Sequence, residues 1–67
     1  MKTPTNVVES FNTAVQLDEN FDEVGNINWN FVEADIHIDA SEFGFDIPED
    51  FDVLFETLIA EFIARAA

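Results

Sequence analysis

The chain has no cysteine and no tyrosine, two glycines, two prolines and only two basic residues, Lys2 and Arg65, in 67 positions. Without cysteine there is no disulfide and no thiolate metal ligand, which removes two usual supports of a short fold. A chain of this length buries only about 60% of the surface that its unfolded form exposes, so a homodimer is a candidate source of the missing burial. The isolated glycines, Gly25 and Gly44, form no phosphate-cradling loop. Nucleophilic chemistry is equally short of parts: one histidine, one lysine at position 2, and two serines, Ser10 and Ser41, in no Gly-x-Ser-x-Gly turn. Paired carboxylates could serve glycoside hydrolysis, but so small a body offers no cleft to enclose a sugar ring. Neither an enzyme nor a cofactor-binding protein is expected. No apolar run approaches the roughly 18 residues of a membrane span. Residues 1–6 also lack the apolar core of a signal peptide, so a single domain over residues 1–67 in the cytoplasm, with no membrane partner, is the expectation.

What is present in excess is negative charge. Fifteen Asp and Glu give a formal net charge of −13, and no Lys or Arg occurs from Thr3 to Ala64. Such a balance can mark disorder, but 48% of the residues are hydrophobic, with eight Phe and one Trp, which is enough to predict a folded chain. Folding gathers the carboxylates, and their repulsion opposes the compact state; solubility alone needs a net charge of only about 2–8. Direct binding of nucleic acid is excluded in electrostatic terms, because phosphates are held by Lys and Arg.

The element pattern predicts an α+β domain. Thr3 and Pro4 can open a helix, with Asn6 and Glu9 as a rival capping box one turn later, and Val7, Val8, Phe11, Ala14 and Val15 share one helical face; a helix over about residues 4–16 follows. Gly25 and Asn26 suggest a tight turn after a brief strand. From residue 27 to 39 the chain alternates, with Val32, Ala34, Ile36 and Ile38 on one side and Trp29, Phe31, Glu33, Asp35, His37 and Asp39 on the other, as in a long strand. Phe43, Phe45 and Ile47 alternate as a third strand. Pro48 and the acids Glu49, Asp50 and Asp52 mark the start of a C-terminal helix whose stripe is Phe51, Leu54, Phe55, Leu58, Ile59, Phe62 and Ile63. The predicted architecture is a small antiparallel sheet of two to three strands between an N-terminal and a C-terminal helix that pack on it.

Asp18, Asn20 and Asp22 have the spacing that opens an EF-hand loop, but Glu23 stands where the loop needs Gly and Trp29 where it needs Glu, so a solvated acidic loop is expected instead. On a strand, Glu33, Asp35, His37 and Asp39 would sit about 6.7 Å apart on one face, too spread to close on one metal ion. Residues 43–50 resemble the acidic stretch before the last helix of acyl carrier proteins. The Asp-Ser-Leu motif with that family's phosphopantetheine serine is absent, and predicted strands conflict with its all-helical fold.

The acids therefore point to binding. A folded body with carboxylates at phosphate-like spacing can occupy the nucleic-acid site of a basic protein, since a basic groove gains from neutralising such an array. Three sets could form it: Asp18, Glu19, Asp22 and Glu23 in the first loop; Glu33, Asp35 and Asp39 on the central segment; and Glu49, Asp50, Asp52, Glu56 and Glu61 on the last helix. Trp29 and Phe31 are candidate apolar anchors, or else pack beneath the first helix. In size, acidity and lack of catalytic motifs the chain resembles the small DNA-mimic inhibitors made by bacteriophages, including anti-restriction and some anti-CRISPR proteins and the uracil-DNA glycosylase inhibitors. That resemblance implies a basic nucleic-acid-binding partner in host defence, blocked by stoichiometric competition. Two alternatives use the same features differently: an antitoxin or adaptor that docks through the apolar stripe of the last helix, and a domain adapted to high salt.

Overall fold

The computed structural model describes residues 3–66, and it is all-helical rather than α+β. Three α-helices, α1 (Val7–Ala14), α2 (Trp29–Phe43) and α3 (Phe51–Ala66), are joined by a loop with a single 3-10 turn at Asp18–Asn20 and by an extended connection before α3. The predicted sheet is absent among the described residues; one antiparallel bridge, Phe21 to Ile27, is the only strand-like pairing.

Of the two expected starts for α1, the capping box one turn in is the one used. The Asn6 side chain accepts from the Glu9 amide at 2.9 Å, while the Glu9 carboxylate accepts from the Thr5 amide at 2.8 Å and from the Thr5 hydroxyl at 2.6 Å. Pro4 precedes the helix and is buried. Val7, Ser10, Phe11 and Ala14 form the inward face, with helical spacing.

The segment read as a long strand is α2. Its alternation is genuine, but Trp29, Val32, Ile36 and Phe43 also follow 3-4 spacing, and two punctuation marks decide the matter. Asn28 caps the start, its side chain accepting from the Asn30 amide at 3.1 Å, and Gly44 ends the helix in the left-handed region at φ 79°, its N–H donating to the Ala40 carbonyl at 2.9 Å. The third predicted strand is divided between the last turn of α2 and the extended connection. There Phe45 and Ile47 pack half-buried against the core and Asp46 faces solvent, so the alternation survives without a partner strand. The turn at Gly25 forms as expected: Asp22 accepts from the Val24 and Asn26 amides, and Gly25 takes a φ of 87°.

The core joins Val7, Phe11, Ala14 and Val15 to Val32 and Ile36 of α2 and Phe51, Phe55 and Leu58 of α3. Phe11, fully buried, is its centre: it stacks on Trp29 at 6.0 Å and meets Phe55 and Phe62 edge-on at 6.1 and 6.3 Å. The apolar stripe of α3 is thus largely used up inside the domain. No helix among the described residues is long and apolar enough to cross a membrane.

Candidate functional site

Helical rather than extended geometry redistributes the candidate acids. At 100° per residue, Glu33, Asp35, His37 and Asp39 separate into two i, i+4 pairs. Asp35 and Asp39 point toward the N-terminal part of the chain. Asp39 accepts from the hydroxyl of Ser10 at 2.8 Å, and Asp35 accepts from the amide nitrogen of Asn20 at 2.9 Å. The other pair looks away, and the exposed His37 ring lies 4.9 Å from that of Phe51 on α3. The expectation of four groups on one face is overturned; Asp39 ties α2 to α1, and Asp35 ties α2 to the 3-10 turn.

Asn20 is the hub of the first loop. Its buried side chain donates to the Ala14 carbonyl at 2.8 Å, capping α1, and to Asp35, while the Asn20 backbone carbonyl accepts from the Asn28 backbone amide at 2.7 Å just before α2 begins. This explains why Asp18, Asn20 and Asp22 do not converge as a cation loop: Asn20 turns inward and Asp22 is engaged in the Gly25 turn. Among the described residues no group of three or more His, Asp or Glu is arranged to hold a metal ion.

Of the fifteen carboxylates, Glu9, Glu33, Asp35 and Asp39 are partly covered and the other eleven are exposed. Glu19, Asp35 and Asp39 come together around a cleft of about 390 Å³ between α1, the 3-10 turn and α2, with Pro4, Ala14, Leu17 and Phe43 supplying apolar walls. Asp22 and Glu23 occupy the exposed Gly25 turn. Of the five acids expected on the last helix, Asp52, Glu56 and Glu61 are exposed on α3, whereas Glu49 and Asp50 lie in the turn before it. The two aromatic candidates part company: Trp29 is half-buried between Phe11 and Phe62, whereas Phe31 is 54% exposed.

Sequence reasoning missed Ser10 and Asn20, the two side chains that fix the acids of α2. A signal for Ser10 was there: a hydroxyl at position 10 of an otherwise apolar 7, 11, 14 face must point inward and therefore needs an acceptor. Of the four aliphatic residues read as one side of a strand, Val32 and Ile36 are buried but Ala34 and Ile38 are exposed, Ile38 to 57%.

No known protein family, no curated protein and no solved structure matches this chain.

Proposed function

We propose that this domain is a non-catalytic binding protein that presents its carboxylates to the basic nucleic-acid-binding site of a partner and blocks it, as the small DNA-mimic inhibitors do. The observation that carries the reading is the density of uncompensated charge: eleven exposed carboxylates on a body 33 Å long, with Arg65 the only Lys or Arg in residues 3–66. One turn of duplex DNA is about 34 Å long and carries about 20 phosphates, so the domain offers roughly half that charge over the same length. A basic groove that neutralises it gains by releasing counterions, as it does on DNA. The repulsion that folding must overcome is then the cost of the binding surface.

A second reading is a small adaptor that docks on a partner through the apolar stripe of α3, where Ile63 is 56% exposed. Docking through the stripe of α3 has less to work with, because Phe51, Phe55 and Leu58 are buried.

Capture of partners from a bacterial lysate on the tagged chain, with and without nuclease, tests the proposal. Nuclease-resistant capture of nucleic-acid-binding proteins is expected. Capture that vanishes with nuclease, or that is confined to proteins without affinity for nucleic acid, contradicts it.

A further inference from the structure

α2 has two apolar stripes. The inner one, Trp29, Val32 and Ile36, belongs to the core. The outer one consists of Phe31, Ala34 and Ile38, spaced i, i+3 and i+7, all exposed, with Asp35 and Glu42 at i+4 and i+11 on the same side of the helix. Phe31, Ala34 and Asp35 line a shallow depression of about 280 Å³ together with Glu19 and Asn20 of the 3-10 turn. The stripe therefore combines two large exposed side chains, a small residue between them that lets another backbone come close, and carboxylates along its border.

The geometry points to this outer face of α2 as the docking site for a basic amphipathic helix of the partner protein. The apolar residues of that helix would cover Phe31, Ala34 and Ile38, and its Lys or Arg side chains would reach Glu19, Asp35 and Glu42. Charge complementarity selects this occupant. A second copy of the chain would set a surface of net charge −13 against itself, and nucleic acid would be repelled at the same carboxylates. The separation of Phe31 from Ile38 is seven residues, about 10 Å of helix axis, so two turns of partner helix span the stripe. The inference rests on the reading that the partner is basic, but not on competition with nucleic acid.

The test uses the full ¹⁵N-labelled chain and a synthetic helical peptide of Leu and Lys about four turns long, with an oligolysine of equal charge as the comparison. The expected result is saturable binding of the amphipathic peptide, with shifts concentrated at Phe31, Ala34, Ile38 and Glu42, and weaker, dispersed shifts with oligolysine. The exposed-site double variant Phe31→Ser with Ile38→Ser, checked for an unchanged fold by its own spectrum, should lose about tenfold in affinity or more. Asp52→Lys with Glu56→Lys should lose less, because those acids lie on α3. Equal affinity in the serine variant, or shifts centred instead on the separate depression that Phe21 and Ile63 line beside Trp29 and Phe62, would overturn the proposal. So would sedimentation of the unmodified chain as a dimer that the serine variant abolishes, since a second copy would then be the occupant. If the peptide binds as described while the domain displaces no nucleic acid from its partners, competitive mimicry fails and this docking site stands.

Discussion

The hydroxyl of Ser10, wholly buried in α1, donates a 2.8 Å hydrogen bond to the half-covered carboxylate of Asp39 on α2, twenty-nine residues away. The two ends of this bond differ in what they lose when it is cut. Ser10→Ala leaves a carboxylate that water can reach and should cost about 1 kcal/mol, whereas Asp39→Ala strands a buried hydroxyl. In urea unfolding the double variant should be about 1 kcal/mol less destabilised than the two single losses added together. Strict additivity would mean that the bond contributes nothing.

Asn20 connects three segments through one side chain. Asn20→Ala removes both donated bonds and leaves the Ala14 carbonyl with only the Leu17 amide at 3.2 Å, an expected loss of about 2 kcal/mol. Asn20→Asp keeps the shape but sets an acceptor against the Ala14 carbonyl and a charge beside Asp35, so it should destabilise more than alanine does. Thermal unfolding followed by circular dichroism orders the two variants; the reverse order would contradict the hub.

Gly44 ends α2 at φ 79°, and a Cβ built there would meet nothing within 4 Å. Gly44→Ala therefore carries backbone strain alone, about 1 kcal/mol, or about 4–8 °C in melting temperature for a domain of this size. Gly44→Asn, which tolerates the left-handed region better, should lose less. Equal melting temperatures for all three proteins would argue against this helix end.

How much of this fold is legible in the sequence depends on how many signals coincide. α3 is legible because Pro48, the first-turn acids, the apolar stripe and Arg65 all agree. α1 is legible to within its first turn, since Asn6 and Glu9 mark a start as well as Thr3 and Pro4 do. α2 reads as a strand because Ala34 and Ile38, both exposed on the helix, fall in step with the buried Val32 and Ile36 and complete a period of two. Asn28 and Gly44 were the better guides, and both are local backbone signals rather than hydrophobic ones. Of the candidate site, the excess of acids follows from sequence, but the grouping of Glu33, Asp35 and Asp39 on one face does not survive the change from strand to helix, and sequence left open whether Phe31 is exposed or packed. That Asp35 and Asp39 are fastened to Asn20 and Ser10 does not follow from sequence either, because it depends on how α1 and the loop pack against α2.

Salt should act on the free and bound domain in opposite directions. Between low salt and about 0.5 M NaCl the Debye length falls several-fold, so the repulsion among exposed carboxylates is screened and the melting temperature of the isolated chain should rise. A flat or falling melting temperature would mean that the acids are not straining the fold. Replacing Glu56 by Lys should likewise leave the fold at least as stable while weakening binding to a basic partner, whereas Asp52→Lys also sets a cation in the first turn of α3 and gives up a favourable interaction with the helix dipole.

The central claim is that the carboxylate surface occupies a nucleic-acid site, and a competition titration reads it most directly. A partner captured from nuclease-treated lysate is loaded with a fluorescent duplex oligonucleotide, and anisotropy is followed as the domain is added at several salt concentrations. Stoichiometric displacement of the oligonucleotide is expected, with an affinity for the domain that falls steeply as salt rises. A ternary complex in which the oligonucleotide stays bound, or an affinity indifferent to salt, would contradict it.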